Sequence, residues 1–494
     1  MRYIYIYILL YVFNNVNSQV RFNIEATLGT DSLYDVGVRV IELGNKQLLS
    51  CGVANSFSTS YRGAYLVKTD STGNLLWKKQ FDFSVDGFDS FTDLIELPDS
   101  NYLITGITTN TVTNDDDVFL AKLDTSGNIL WFKKYIYSDN DQSAELKLTP
   151  DGKVIIVGNS SPNPNTTYND ALLIKTDLNG NLIWRKRFGN TYDEVYYSID
   201  IIKNNTEYLL GGRYGYYNTG NPFYDFSVMR TDTAGNVIWQ QQYGTAADET
   251  GGGAVYTLDS GVAICGTYNN DGALLKLDKN GVQQWLKNYG LPTDSYIRQV
   301  KQLKDSTYVM IFSNTYAPTN SFTGFLIKAD KNGNQLWQRV YPGPVNIPNY
   351  FFGFNTTADG GFIMTGQYNH IGQPYQNMWL VKTDSLGCDS VSCSYLVTGV
   401  AAPLPPAGGG PGVRLFPNPN TGSFKIQLSE IKDDENSIEI TIVNVIGQTV
   451  YSKTITNTKE LSYDIQCNYL PKGVYIATLI QNQEILGQSK LIIE

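Results

Sequence analysis

Short hydrophobic runs alternate with turn residues along most of this chain. Between residues 93 and 135 the runs read DLIEL, YLITG, VFLAKLD and ILWFKKY, and Pro, Asp, Asn and Gly separate them. None of these runs keeps the 3.6-residue period of a helix over twelve residues, whereas short runs bounded by turn residues are typical of β-strands. The pattern therefore predicts an all-β fold, with four strands in this stretch.

The four-strand pattern repeats. An aspartate in the turn between the third and fourth strands aligns the copies, at intervals of 46 to 55 residues. These aspartates are Asp70, Asp124, Asp177, Asp232, Asp278, Asp330 and Asp384. Self-similarity at such a period, with four strands in each copy, is typical of a propeller. We therefore predict a seven-bladed β-propeller over residues 19–398.

The repeated turn reads Asp-x-x-Gly, followed in most copies by Asn, and six copies carry a tryptophan in the next strand. An aspartate can accept hydrogen bonds from backbone N–H groups just after it, and glycine suits a position with positive φ. Because a tryptophan brings a large area to bury, we expect it to pack between neighbouring blades. The six are Trp77, Trp131, Trp184, Trp239, Trp285 and Trp337.

The seventh copy has no tryptophan strand after its turn, and the segment RFNIEATLG near the N-terminus fits the missing piece. Ile24 then stands where tryptophan stands in the other copies. We predict that residues 20–28 pair with the strand around Trp379–Lys382 and close the last blade, because closure removes exposed strand edges.

The first eighteen residues contain Arg2 and then an apolar stretch from Tyr3 to Phe13. This pattern predicts a signal peptide over residues 1–18, with a first buried strand as the alternative. The stretch is too short to cross the roughly 30 Å hydrocarbon core of a bilayer, and we expect no transmembrane segment in the mature chain. The net charge of −10 argues against nucleic acid as a partner.

Four of the five cysteines fall into two groups. Cys388 and Cys393 are close in sequence, and in an exported chain we predict that they form a disulfide. Cys51 and Cys265 occupy equivalent positions in two repeats, so we expect both in the core. No Cys-x-x-Cys pair or Cys/His cluster suggests zinc.

A Pro/Gly-rich linker is predicted at residues 399–412, and the strands that follow it suggest a small β-sandwich at 413–494. The segments LFPNPNTGSF, IVNVIGQTVY, LPKGVYIATL and the terminal KLIIE occur there in order. They resemble the type A sorting domain of the type IX secretion system; an ordinary fibronectin-like module is the alternative. The residues that carry the resemblance are Pro417, Asn418, Pro419, Gly422, Gly447, Gly473 and Lys490.

This resemblance implies a host of the Bacteroidetes kind, the type IX secretion machinery as a partner, and a protein that is secreted or held on the outer cell surface. The repeated phrase Asp-x-x-Gly-Asn-x-x-Trp resembles the repeats of secreted bacterial propellers. It also looks like the tryptophan repeat of quinone-dependent dehydrogenases, in which the tryptophan joins blades, so that likeness concerns the scaffold.

Few residues suggest catalysis. His370 is the single histidine, so a Ser-His-Asp or Cys-His set has no second candidate, and we predict no catalytic residue. Four aspartates share one slot before the first strand of their repeats: Asp35, Asp89, Asp141 and Asp193. They can be interpreted as a ring that binds a cation such as calcium, or as caps of their own turns. We expect no other cofactor.

Tyrosine- and asparagine-rich segments between the strands, such as 212–225 and 341–352, are the best candidates for ligand binding. The residues are Tyr214, Tyr216, Tyr217, Tyr350 and Phe351, and packing within the loops is the alternative. The sequence favours a binding or adhesion protein that contacts glycan or protein. A polysaccharide lyase or hydrolase, a quinone-type oxidoreductase and a structural coat protein remain as alternatives.

Overall fold

The computed structural model describes residues 19–26, 34–55, 62–84, 87–110, 112, 115–136, 140–161, 168–189, 192–202, 206–218, 221–245, 249–289, 296–316, 321–344, 346–370, 376–390, 413–416, 420–428, 437–444, 449–455, 462–481 and 484–493. The chain divides into two units, Met1–Val400 and Ala401–Glu494. The predicted signal peptide and linker lie outside the described residues. The described residues contain strands and turns but no helix.

The first unit begins with β1 (Phe22–Glu25), which belongs to the last sheet of the unit. The first sheet contains β2 (Asp35–Glu42), β3 (Leu48–Asn55), β4 (Arg62–Thr69) and β5 (Leu75–Phe81). The second contains β6 (Asp89–Glu96), β7 (Tyr102–Asn110), β8 (Asp115–Leu123) and β9 (Ile129–Tyr135). The third contains β10 (Asn140–Leu148), β11 (Lys153–Ser161), β12 (Asp170–Asp177) and β13 (Leu182–Phe188).

The fourth sheet contains β14 (Glu194–Ile201), β15 (Glu207–Asn218), β16 (Asn221–Asp232) and β17 (Val237–Tyr243). The fifth contains β18 (Thr250–Tyr256), β19 (Val262–Tyr268), β20 (Asp271–Leu277) and β21 (Gln283–Asn288). The sixth contains β22 (Tyr296–Gln302), β23 (Tyr308–Tyr316), β24 (Ser321–Ala329) and β25 (Gln335–Tyr341). The seventh contains β26 (Tyr350–Thr356), β27 (Phe362–Asn369), β28 (Gln376–Thr383) and β1.

The described part of this unit therefore forms seven four-stranded antiparallel sheets, each with the build of a propeller blade. Seven clusters of buried hydrophobic residues hold them together, and each cluster takes its members from two neighbouring sheets. One of these clusters joins the first sheet to the seventh, through Val67, Leu380 and Phe22. The unit is thus a propeller-like ring of sheets in which every sheet buries both faces.

The repeated turn has the geometry that its sequence predicts. Asp70 Oδ1 accepts the backbone N–H groups of Thr72 at 2.8 Å and Asn74 at 2.9 Å, while Gly73 has φ +92°. Hydrogen bonds from the Thr72 and Asn74 side chains lower the pKa of Asp70 to about 2. Because the same bonds recur at the other six aspartates of the repeat, the turn is a local structure that each copy forms in the same way.

The tryptophan of one sheet packs against the repeated turn of the next sheet. A methyl group added at Gly127 would lie 2.9 Å from the Trp77 ring, and one added at Gly180 would lie 2.8 Å from Trp131. The lysine two residues after Trp77, Lys79, donates to Asn128 at 2.8 Å. The repeat contains both a turn glycine and a tryptophan because the tryptophan of one sheet packs on the turn glycine of the next sheet.

The N-terminal strand β1 pairs antiparallel with β28, the partner expected from the sequence, with Ile24 opposite Leu380. It extends over Phe22–Glu25, and residues 27 and 28 of the predicted segment lie outside the described residues. Ile24 also takes the packing position of tryptophan, because a methyl group added at Gly73 would lie 2.9 Å from its side chain.

The second unit has two sheets. One contains β29 (Val413–Phe416), β30 (Ser423–Leu428) and β33 (Ser462–Gln466). The other contains β31 (Ile438–Asn444), β32 (Thr449–Ile455), β34 (Gly473–Gln481) and β35 (Glu484–Ile493). Side chains from both sheets, among them Ile426, Ile440 and Leu479, share one buried core. Gly422 has φ +91°, a conformation that glycine adopts most readily.

The cysteines of the first unit differ in state. Cys51 and Cys265 are fully buried free thiols in the clusters between sheets. Cys388 is disulfide-bonded, and its predicted partner Cys393 lies outside the described residues. Among the described residues, no helix is long and apolar enough to cross a membrane.

Candidate functional site

The first strands of the seven sheets contact one another around the ring, so they enclose a central channel. Each first strand carries a bulge at the same place, which leaves one residue out of the ladder in six sheets and two residues in the fifth. The bulge residues of the first three sheets are Val38, Thr92 and Ala144, and the fifth sheet has glycine there. The fourth, sixth and seventh sheets instead carry Tyr197, Arg298 and Phe352, so the channel loses its symmetry at this level.

These three large residues belong to an arginine–aromatic cluster, which we define as Tyr197, Arg213, Tyr224, Arg298, Tyr350 and Phe352. The Arg298 guanidinium carbon lies 4.7 Å from the centre of the Phe352 ring. The Arg213 guanidinium lies 4.3 Å from the Tyr224 ring and 6.0 Å from the Tyr197 ring. Both distances to the nearer ring are within the range of cation–π attraction.

The electrostatics show that the cluster is continuous. Burial raises the pKa of Tyr197, while the positive charges of Arg213 and Arg298 act in the opposite direction. Both arginines therefore act electrostatically on one phenol, although they come from different sheets. Arg298 also acts on Tyr350, whose pKa burial raises and whose ring centre lies 6.2 Å from that of Phe352.

The predicted ligand-binding residues have different locations. Tyr350 is half-buried within the cluster, and Tyr214 is half-buried beside Tyr192, with ring centres 5.7 Å apart. Tyr216 and Tyr217 lie in β15, opposite Phe223 and Pro222 of β16. The segment 212–225, expected as a loop, is thus mostly a long hairpin, because its residues continue the ladder between β15 and β16.

Phe351 is a core residue, and the expectation that it binds a ligand needs correction. Its side chain is 0% exposed, and its ring stacks on Trp379 at 4.3 Å. It lies next to the bulge residue Phe352, so the pleat directs the two side chains to different environments. Whether Phe351 or Phe352 faces the channel depends on where the bulge lies, and the sequence does not show that position.

The four aspartates proposed as a cation ring are buried, and Asp89, Asp141 and Asp193 accept hydrogen bonds from other residues of the protein. Asp89 accepts the N–H groups of Phe83 and Ser84, and Asp141 accepts two bonds from Arg185 at 2.8 and 3.0 Å. Asp193 accepts from Asn169 and from Arg213, and Asp35 is 0% exposed. No group of three or more His, Cys, Asp or Glu side chains suited to a metal occurs in the described ranges.

A second set of polar residues follows the bulges and was missed from the sequence. Asp93 accepts the Leu146 N–H at 2.9 Å, and Glu145 accepts the Ile199 N–H at 2.9 Å. Ser198 and Gln299 accept from the next sheets in the same way. These bonds satisfy N–H groups on the inner edge of each neighbouring sheet. The signal that was available is a polar residue four positions after Asp89 and Asp141.

A cavity of about 830 Å³ adjoins this set, and its lining includes the charged residues Glu145, Lys147, Asp200 and Lys301. Lys147 Nζ lies 2.7 Å from Glu145 Oε1. Burial opposes ionisation of Glu145, but Lys147 and Arg39 outweigh it and hold the Glu145 pKa below its usual value. Burial raises the pKa of Asp93 to about 6, and burial together with Lys147 lowers that of Lys301 to about 8.

The single histidine lies apart from this cavity. His370 Nε2 is 2.7 Å from Glu25 Oε2, and the Asn377 amide donates to the same oxygen at 2.6 Å. Glu25 belongs to β1, so this contact attaches the N-terminal strand to the last sheet.

The comparisons identify the second unit. Residues 414–494 match the family described as secretion system C-terminal sorting domain, so this segment is a type IX sorting domain. The domain implies an origin in the Bacteroidetes and export by the type IX secretion machinery, and it indicates attachment to the outer cell surface. No curated protein sequence matches the chain.

Several solved structures are similar to the chain at low identity. The crystal structure of puromycin hydrolase is 12% identical with a TM-score of 0.48, covering 80% of this chain and 59% of that chain. The β-propeller domain of the Trilobed protease from Pyrococcus furiosus is 12% identical with a TM-score of 0.43, and the match covers 75% of this chain and 100% of that chain. Drosophila Plexin A in complex with Semaphorin 1b is 8% identical with a TM-score of 0.40, and the match covers 72% of this chain and 88% of that chain.

Proposed function

We propose that this chain is a secreted binding protein of the cell surface, a complete seven-bladed β-propeller that recognises acidic glycans through its arginine–aromatic cluster. Residues 1–18 would be removed as a signal peptide, residues 399–412 would act as a linker, and the sorting domain would fold as a small β-sandwich. The observation that carries the proposal is the loss of symmetry at the bulge, where Tyr197, Arg298 and Phe352 replace small residues.

The chemistry of the cluster suits a sugar that bears a carboxylate or sulfate group. A guanidinium presents paired N–H donors that match the two oxygens of a carboxylate, while an aromatic face packs on the apolar face of a pyranose ring. The whole chain has a net charge of −10, and the guanidinium of Arg298 gives the cluster a local attraction for anions, whereas Arg213 is paired with Asp193 at 3.1 Å.

We expect Arg298→Ala to weaken binding of an acidic glycan at least tenfold, because it removes a charged donor and leaves Phe352 without its cation. The measurement is a glycan array with the full chain, with and without calcium, followed by titration of the strongest hit. Arg62→Ala is the matched control, because Arg62 is exposed at the start of β4, in the first sheet. Its affinity should equal that of the unchanged protein.

Other outcomes separate the alternatives. Equal loss in both variants, or binding that neither variant changes, would contradict recognition by the cluster. New reducing or unsaturated ends on a bound polysaccharide would favour a hydrolase or lyase, and reduction of a dye with added quinone would favour an oxidoreductase. No binding to any glycan would favour a coat protein or a protein ligand. Binding only with calcium would revive the cation site at the aspartates.

A further inference from the structure

The charged cavity is a second candidate site, separate from the arginine–aromatic cluster. Three members of the cluster are bulge residues of first strands, whereas the cavity is lined mainly by residues that follow the bulges and by the turns after them, such as Leu258 and Thr357. Its volume of about 830 Å³ is within the range of small-molecule pockets in proteins. None of its lining residues is used by the proposed recognition of glycans.

Two donors in β22 line this cavity, and among the described residues neither has a protein acceptor. Gln299 and Lys301 are two residues apart on one strand, so their side chains share a face. Gln299 Oε1 accepts the Phe354 N–H at 2.9 Å, which fixes the side-chain amide and leaves its NH₂ group as a donor. Within the part of the chain that the structure describes, no carboxylate lies at ion-pairing distance from the Lys301 ammonium.

A second cation, Lys147, lines the same cavity as Lys301. Among the neighbouring charges, Lys147 has the largest effect on Lys301, and as a like charge it lowers the pKa of Lys301 further below the value set by burial. Lys147 itself is paired with Glu145 at 2.7 Å. Two ammonium groups in one partly buried cavity repel, and since Glu145 already compensates the charge of Lys147, an anion bound beside Lys301 would relieve the remaining repulsion.

We propose that the cavity binds a small carboxylate ligand, held by the ammonium of Lys301 and the amide NH₂ group of Gln299, with Lys147 as the second cation. This proposal stands independently of the proposed glycan recognition.

The surrounding charges favour a monoanion over a dianion. The cations Arg39, Lys147 and Lys301 face the anions Asp93, Glu145 and Asp200, so the interior charges balance when all six are ionised. A carboxylate adds one negative charge, whereas a phosphate monoester adds up to two and meets three carboxylates. Glu42 and Lys304, at the rim of the cavity, contribute one charge of each sign.

The test uses the full chain and trifluoroacetate as a ¹⁹F NMR probe. We expect saturable broadening of the probe signal, and a dissociation constant at least tenfold higher in Lys301→Met, which keeps the length of the side chain and removes its charge. Lys331→Met is the matched control, because Lys331 is an exposed lysine of the same sheet. Circular dichroism verifies that each variant is folded, and Lys301→Arg, which retains a cation, should keep part of the affinity.

The pH profile and competition give two further readouts. The charged form of Lys301 binds the anion, so affinity should fall as pH rises above about 8. Protonation of Asp93 removes a repelling charge, so affinity should rise as pH falls through about 6. Acetate should displace the probe. The proposal is overturned if no saturable binding occurs, if Lys301→Met binds as well as the unchanged protein, if affinity is the same at pH 7 and pH 9.5, or if phosphate displaces the probe better than acetate does.

Discussion

Replacing Trp379 with Ala is expected to lower the free energy of unfolding of the first unit by about 3–5 kcal/mol, the usual range for truncating a buried aromatic residue. Trp379 is 1% exposed, and its ring stacks on Phe351 at 4.3 Å and meets the edge of Tyr368 at 5.7 Å. Its indole N–H also donates to Asn23 Oδ1 of β1 at 2.7 Å. The substitution therefore opens a cavity in the last sheet and releases one attachment of the N-terminal strand.

Urea unfolding of the full chain, followed by circular dichroism, measures this effect. Asn23→Ala is the matched variant, because it removes the acceptor and leaves the Trp379 ring in place. Its cost should be about 1–3 kcal/mol, the penalty for leaving a buried donor unpaired. If Trp379→Ala costs no more than Asn23→Ala, the ring stack contributes nothing, and the packing of Trp379 on Phe351 does not stabilise the last sheet.

The features that were predictable from the sequence are those that rest on local or repeated chemistry. The Asp-x-x-Gly turn is formed by contacts within five residues, so its sequence determines it wherever it occurs. The pairing of β1 with β28 was predictable for a different reason, because the seventh copy lacks a strand that the segment around Ile24 supplies. The sorting domain was predictable from the motifs around Gly422 and Gly473.

The candidate sites were less predictable because one bulge in each first strand reverses which side chains face the channel. Alternation along YFFGF at residues 350–354 does not show that Phe352 is the bulge residue and Phe351 a core residue. The charges of the cavity were missed for a related reason, since Glu145, Asp200 and Lys301 are far apart in sequence and lie on three different sheets. An alignment of the repeats brings out residues that recur, such as the aspartates. The candidate sites instead consist of residues that differ from one repeat to the next.

The repeated glycines offer the second large effect, which tests whether neighbouring sheets dock through the tryptophans. Gly180 has φ +73° and a methyl group added there would lie 2.8 Å from Trp131. Gly152 has nearly the same φ, +70°, but an added methyl group would meet nothing within 4 Å. Both glycines are in turns of the third sheet, so the pair separates backbone strain from crowding at the interface.

We expect Gly152→Ala to cost about 1–2 kcal/mol, the penalty for an L-residue in the left-handed region. Gly180→Ala should cost that amount and about 1–3 kcal/mol more, because overpacking forces the Trp131 ring away from the turn. Urea unfolding of both variants gives the difference. Repeating Gly180→Ala in a Trp131→Leu background should remove most of the extra cost, since the ring is then absent and only the Lys133 side chain, 3.1 Å from the added methyl group, stays close. An extra cost that persists in full without the ring would show that the ring does not cause it, and the repeated tryptophan would then need another explanation.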